Sequence, residues 1–296
     1  MTKNKTTLKQ KTIPTPLPFR ILRAIFPLLE KAIPSFARYI IVRLFFTPFN
    51  FKPRPGELEK KNTGKQFELI VNGNKVIAHS WGNGPLAVLS HGWSGRGMQL
   101  RKFIDPLLEN GFQVISFDAP GHGESEGKES SLIEFKDTIV EISNLKGEIK
   151  LGIGHSLGGA AMIYAVKEGL KISQLVTIST PTIPDDIIDV FLKRVNASHK
   201  MALAIDDYVI DRTGENFNYY SVDYNAPFIK DIPILSFHDQ NDTEAGIMHA
   251  HNLKDKHGNT ELIETSGLGH NRILKDEDVV EKVREYTKHL QILERV

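Results

Sequence analysis

From Gln66 to the C-terminus, short apolar runs alternate with amphipathic stretches, and this alternation constrains the fold more than any other feature of the chain. Residues 67–71 and 75–81 read as two strands joined by the Asn72-Gly73-Asn74 turn, a hairpin expected at a sheet edge. A third strand is predicted over 86–90. Beyond it the pattern predicts helix 98–110, strand 112–117, helix 132–144, strand 149–153, helix 157–167 and strand 174–179, with later strands at 234–238 and 261–265 and a C-terminal helix over 273–293. Strands separated by helices imply an α/β fold with a mainly parallel sheet of about eight strands, covered by helices on both faces. Residues 181–230 break the rhythm with Pro181, Pro184, an amphipathic stretch over 187–195 and the aromatic run Phe217-Asn218-Tyr219-Tyr220. They are expected to form a small helical cap inserted above the carboxyl ends of the strands, where ligands bind in open α/β sheets.

Charge divides the chain in two. Residues 1–54 hold eleven Lys or Arg against one acid, Glu30, a balance of +10, so the remainder carries −9 of the overall +1. Residues 1–18, with Lys3, Lys5, Lys9, Lys11 and three prolines, have the composition of a disordered basic tail. Residues 19–55 read instead as an amphipathic helical extension. Phe19, Leu22, Ile25, Phe26, Leu29 and Ile33 fall on one broad apolar face, and Pro34 breaks the stretch before the more apolar 36–46. No uncharged run reaches the ~18 residues needed to span a bilayer, and charges and prolines interrupt any signal-peptide core. Two partners fit residues 19–48: an anionic membrane surface met peripherally, or a protein surface, either the domain that follows in the chain or a twin subunit in a homodimer. Nucleic acid fits poorly, because bulky aliphatics interleave with the basic groups. A cytoplasmic protein, free or peripheral at the inner face of the membrane, is the expectation. The absence of cysteine removes disulfides, thiolate zinc sites and a cysteine nucleophile.

Chemistry concentrates at strand ends of the domain over 64–296. Ser156 lies in Gly154-His155-Ser156-Leu157-Gly158, between a predicted strand and a predicted helix. A serine on such a turn is held in a strained conformation with its hydroxyl exposed, and Gly154 and Gly158 let neighbouring backbone approach. The other reading, a helix N-cap, explains the serine but not the flanking glycines. Serine is a weak nucleophile, so it needs a base, an acid to orient that base, and donors for an oxyanion. His270, in Gly267-Leu268-Gly269-His270, follows the last predicted strand and suits the base. Asp242 follows the strand before it and is the expected acid, with Asp239 as the alternative and Asp185 or Asp186 behind both. The loop His91-Gly92-Trp93 offers the backbone N–H of Trp93, and the helix start offers that of Leu157, as oxyanion donors. Asp118-Ala119-Pro120-Gly121-His122-Gly123-Glu124-Ser125 is read as a structural turn. His238, Asp239, Asp242, His249 and His251 lack a recognisable ligand spacing, so no metal is expected.

Together these motifs, His91-Gly92-Trp93, Asp118 to Ser125, Gly154 to Gly159, His238 to Asp242 and Gly269-His270, resemble the α/β-hydrolase fold family over residues 66–296. The resemblance implies Ser156 as nucleophile, His270 as base, Asp242 as acid and Trp93 and Leu157 as oxyanion amides, with His91, Gly92, Gly154 and Gly158 in support. The sequence departs from the family pattern at Asp239, where members often carry Gly, and at Glu244-Ala245, where they often carry Val-Pro. The resemblance implies a serine hydrolase of esterase or lipase type, cleaving a small-molecule carboxylic ester, lipid-like ones included, with no cofactor. Acyl transfer, amide or peptide cleavage and lysophospholipid hydrolysis use the same site, and a non-catalytic binding protein on this fold is the alternative of another class.

Overall fold

The computed structural model describes residues 17–293, so the expected basic tail lies outside the described residues except for Leu17 and Pro18, which open the first helix. Two helices lead the chain, α1 (Leu17–Ala32) and α2 (Pro34–Phe46), with Pro34 in the first turn of α2, where its missing N–H has no role. A short helix not foreseen from sequence, α3 (Pro55–Lys61), follows. Its first turn is closed by Glu57, whose carboxylate accepts from the Arg54 N–H at 3.0 Å.

The sheet comprises β1 (Lys65–Val71), β2 (Asn74–Trp81), β3 (Leu86–Ser90), β4 (Gln113–Phe117), β5 (Ile149–His155), β6 (Ile172–Ile178), β7 (Ile234–Asp239) and β8 (Thr260–Thr265). Their order is β1-β2-β4-β3-β5-β6-β7-β8, antiparallel around β2 and parallel from β4 onward. The hairpin stands at one edge. Consecutive strand residues point to opposite faces, and both faces are buried: Val88 joins one core while Ala87 and Leu89 join the other.

Helices α5 (Leu132–Lys146) and α6 (Leu157–Lys167) cover the first face through Phe135, Ile139, Met162 and Ile163. Ser131 caps α5, accepting from the Ile133 N–H at 3.1 Å. The second face is covered by a 3₁₀ stretch Gly97–Phe103 running into α4 (Ile104–Glu109), and by the C-terminal helix described below. Sequence periodicity suggested one helix over 98–110. Its first half instead takes the tighter 3₁₀ form, pinned where Asp118 Oδ1 accepts from the Gly97 N–H at 2.8 Å.

Between β6 and β7 the chain forms α7 (Pro184–Val195), α8 (Ala202–Thr213) and α9 (Val222–Asn225), the helical insertion. After β7 come α10 (Met248–Lys256), then α11 (Gly269–Arg272) and α12 (Glu277–Leu293); a 3₁₀ turn at Ile273–Lys275 occupies the start expected for the last helix. The N-terminal helices share a third core with the insertion: Phe26, Ala37, Ile41 and Phe46 pack with Ile188, Leu192, Met201 and Ile205. The ion pair Arg38 to Asp207 adds to that contact, and Arg43 to Glu129 ties α2 to the loop before α5. Of the expected apolar face of α1, Phe26 is buried and Leu22 and Leu29 are half-buried, whereas Ile25 and Ile33 remain exposed.

Candidate active site

Ser156 sits between β5 and α6 with φ 52° and ψ −122°, a backbone region that L side chains rarely adopt. The strain persists because neighbouring backbone leaves no alternative. A Cβ on Gly158 would lie 2.3 Å from the Ser90 carbonyl oxygen, and one on Gly154 would lie 2.4 Å from Gly159 Cα. One on Gly92 would come within 2.9 Å of Ser156 Cβ. The Ser156 N–H is tied to the Ile178 carbonyl at 2.9 Å, fixing the turn to β6. Being first in α6, the Leu157 N–H has no acceptor within the helix.

His270, at the start of α11, donates through Nδ1 to Asp242 Oδ2 at 2.7 Å, and its side chain is only 9% exposed. That leaves Nε2 as the ring nitrogen free to accept or release a proton. Asp242 is buried; burial alone would raise its carboxyl, but the His270 hydrogen bond and charge, with the Ala245 and Glu244 N–H groups on Oδ1, hold it below the ordinary value. Beside it His238 donates through Nε2 to the Ala245 carbonyl at 2.7 Å, which supports the loop carrying Asp242.

Asp239, the alternative acid, faces elsewhere. Its Oδ2 accepts from Thr265 Oγ1 at 2.8 Å and the Leu268 N–H at 3.0 Å, and its Oδ1 from the Asn241 N–H at 3.0 Å. These bonds bind the ends of β7 and β8 to the loop that presents His270. Burial acts to raise its carboxyl as well, and the N–H groups of Gly269, Leu268 and Asn241 with the Thr265 hydroxyl bring it below the ordinary value. Asp186, set lower among the candidates, accepts from His249 Nε2 at 2.9 Å at the start of the insertion.

The imidazoles near the site are structural by their bonds. His91 donates through Nδ1 to the Gly92 carbonyl at 2.7 Å and accepts at Nε2 from the Ala119 N–H at 3.0 Å; burial lowers its pKa to about 4. His122 accepts from the Ser94 N–H at 3.1 Å and donates to the Pro120 carbonyl, and burial next to His91 lowers it to about 3. Asp118 to Ser125 is therefore a turn that braces the His91 to Gly95 loop. His249 and His251 diverge: Thr182, Ile183 and Asp186 surround the first, and Glu264 holds the second. Among the described residues no group of three or more His, Cys, Asp or Glu could hold a metal.

Two features escaped the sequence. His155, inside the pentapeptide, donates through Nε2 to the His270 carbonyl oxygen at 2.9 Å and packs its ring 4.8 Å from that of His270. Only its place beside Ser156 hinted at this. The second is the origin of the cavity wall. Ser156, Leu157, Trp93 and His270 open on one cavity of about 260 Å³. Its sides come from the insertion, through Val190, Phe191 and Phe217, and from α2, through Phe45 and Phe46. The apolar 36–46 stretch signalled burial without saying where. Arg194 and Glu244, paired at 3.0 Å, and Arg212, paired with Glu134 at 2.7 Å, add charge to an otherwise apolar lining. No helix among the described residues is long and apolar enough to cross a membrane.

Comparison with known proteins agrees with this architecture. Residues 87–251 match the model of the alpha/beta hydrolase family. A bifunctional epoxide hydrolase 2 of Sus scrofa is 28% identical over 130 residues, 40% of this chain and 23% of that protein. A pimeloyl-[acyl-carrier protein] methyl ester esterase of Pseudoalteromonas atlantica is 34% identical over 100 residues, 33% of this chain and 38% of that protein. The chain thus matches well under half the length of these relatives. An esterase structure from Pyrococcus furiosus superposes with a TM-score of 0.61 at 21% identity, covering 82% of this chain and 97% of that one, a likeness of fold. With more than half of its residues matching the family model, and with the sheet order and strained Ser156 turn described above, the chain belongs to the alpha/beta hydrolase family.

Proposed function

We propose that the protein is a serine hydrolase that cleaves carboxylic esters with an apolar acyl part through a covalent acyl-enzyme. The observation that carries this reading is the strained Ser156 opening on the same apolar cavity as His270, whose other ring nitrogen is held by buried Asp242 at 2.7 Å.

In the proposed sequence Ser156 Oγ attacks the ester carbonyl carbon while His270 Nε2 takes its proton. Asp242 keeps the ring in the Nδ1–H tautomer and stabilises the imidazolium that forms. The oxyanion accepts from the Leu157 and Trp93 N–H groups, which act where negative charge develops. Collapse breaks the ester C–O bond, and His270 returns its proton to the leaving alcoholate oxygen. A water then repeats the cycle: His270 takes its proton, hydroxide adds to the acyl carbon, and Ser156 leaves with the proton restored. The cavity is on the scale of pockets for drug-sized ligands, and its Phe and Val lining favours an aliphatic or aromatic acyl group over acetyl.

The test is a series of chromogenic esters of increasing acyl length together with a fluorophosphonate probe. The wild type is expected to label on Ser156 and to turn over esters, and Ser156→Ala to lose labelling and about 10⁴- to 10⁶-fold of kcat. A wild type that neither labels nor hydrolyses any ester in the series overturns the reading.

A further inference from the structure

We infer that the outer face of α1 and α2 docks on an anionic lipid surface and so sets the substrate cavity, one wall of which is α2, beside a bilayer. Ile21, Ile25 and Leu28 follow an i, i+4, i+7 spacing along one stripe of α1, and all three are exposed, Leu28 at 69%. Ile33 between the helices, and Phe36 and Tyr39 on α2, whose rings stack at 6.3 Å, are exposed too. On α2 the buried Ala37 and Ile41 face the core shared with the insertion, well round the helix from Phe36 and Tyr39, whereas on α1 the core-facing Leu22, Phe26 and Leu29 lie only about 100° round from Ile21, Ile25 and Leu28. Ile21, Ile25 and Leu28 thus flank the packed stripe and, with Ile33, Phe36 and Tyr39, leave an exposed apolar surface on helices already held by that core.

Charge identifies the occupant. Arg20 and Lys31 stand exposed on α1, Arg23 reaches back to the Arg194 carbonyl at 3.3 Å, and the one acid of the helix, Glu30, bonds to Ser198 in the insertion through both carboxylate oxygens. An apolar stripe edged by cations is the pattern that enters the headgroup region of anionic bilayers, where burial and electrostatic attraction add. A second copy of the chain fits less well. A two-fold contact through this face would set one cationic helix against its twin.

The geometry links docking to the cavity. Helix α2 ends in Phe45 and Phe46, which line it, and the chain continues to Phe49, whose N–H donates to Ser94 Oγ at 2.9 Å beside Trp93. Helix α2 thus belongs both to the proposed docking face, through Phe36 and Tyr39, and to the cavity that Ser156 lines, through Phe45 and Phe46. The substrate class implied is an ester whose acyl chain is drawn from a membrane. That part rests on the hydrolase reading above, whereas the docking itself does not.

The experiment is flotation of the full-length protein with phosphatidylcholine vesicles, with and without phosphatidylglycerol, for the wild type and the double variant Ile25→Glu, Leu28→Glu. Neither residue lines the cavity or enters a core, so thermal unfolding and turnover of a water-soluble short-chain ester should match the wild type. The wild type is expected to float with anionic vesicles, and the double variant to lose about tenfold or more of that partitioning. Added salt should weaken binding by screening. A wild type that stays in solution with both vesicle types overturns the inference, and so does equal binding to neutral and anionic vesicles. A variant that keeps lipid binding but changes from dimer to monomer in sedimentation assigns the face to a second copy instead. Failure of the hydrolase reading shows separately, as absent labelling and turnover in a wild type that still floats.

Discussion

His155 Nε2 and the carbonyl oxygen of His270 lie 2.9 Å apart, so the residue before the candidate nucleophile holds the backbone of the candidate base. The bond requires Nε2 to carry the proton. Burial, with the neighbouring His270, lowers the His155 pKa to about 3, so the ring stays neutral while His270 gains and loses its proton. Replacing it by Leu removes the donor and leaves the His270 carbonyl without this partner. We expect His155→Leu to lower kcat by about 10- to 100-fold through misplacement of the base, with KM nearly unchanged. Ester kinetics on the purified variant, with circular dichroism to show that it folds, checks this; unchanged kcat would assign His155 to packing alone.

The two aspartates at the end of β7 should separate by assay. Asp242→Asn replaces the acceptor of the His270 Nδ1–H and favours the wrong tautomer, so a loss of about 10⁴-fold in kcat is expected. Asp239→Asn leaves that bond in place but sets an amide against the Leu268 and Asn241 N–H groups and the Thr265 hydroxyl. Its cost should fall on folding, about 1–3 kcal/mol for impaired buried hydrogen bonds, with a much smaller effect on turnover. Parallel urea titrations and ester kinetics on the two variants distinguish them, and equal kinetic losses would show that Asp239 acts on the chemistry.

These two residues also mark where local sequence stops being informative. The central strands are readable because both of their faces are buried, which makes 149–153 or 234–238 a mostly apolar run whatever its neighbours. Ser156 is readable because a positive φ and the backbone crowding around Gly154 and Gly158 restrict residue type at successive positions. Asp239 and Asp242 are three residues apart in one loop, and which of them meets His270 depends on how β8 and its following loop are tied down. That is a tertiary matter. The same holds for α1 and α2: their apolar periodicity predicts a covered face, but the cover is supplied by α7 and α8, more than 140 residues away. The strand order, with β4 outside β3, likewise leaves no local trace.

Acid stability should reflect the buried imidazoles before the carboxylates. His91, His122 and His155 are held neutral, with pKa values of about 4, 3 and 3 against ~6.5 in the unfolded chain. As pH falls below ~6.5 the unfolded state binds protons that the folded state refuses, so stability declines, by roughly 1 kcal/mol per pH unit for each histidine, until the folded values are reached. Asp239 and Asp242, lowered in the fold, contribute stability that is present above the unfolded value of ~3.9 and lost as pH falls through their lower folded values. The urea midpoint should therefore drop steadily from pH 6.5 to 4, ahead of any carboxylate effect. His122→Asn should flatten that slope, and a midpoint independent of pH across this window would contradict the neutral state of these buried imidazoles.

Phe45 offers a probe of the wall supplied by α2. Its ring is half-buried and lines the cavity, meeting the edges of Phe191 at 4.9 Å and Phe217 at 5.7 Å. Phe46 is more deeply placed in the third core, so Phe46→Ala should mainly destabilise, by about 3–5 kcal/mol. Phe45→Ala removes apolar surface that an acyl chain would cover, while a short acyl group bound close to Ser156 would not reach it. We expect KM for a medium-chain ester to rise about tenfold, in line with the burial lost, and kcat/KM for the acetate ester to stay within twofold or so of the wild type. Measuring both esters on the same preparation cancels differences in active fraction. A uniform loss across chain lengths would mean that Phe45 supports the fold of the site and that the acyl chain runs along the insertion instead, past Val190 and Phe191.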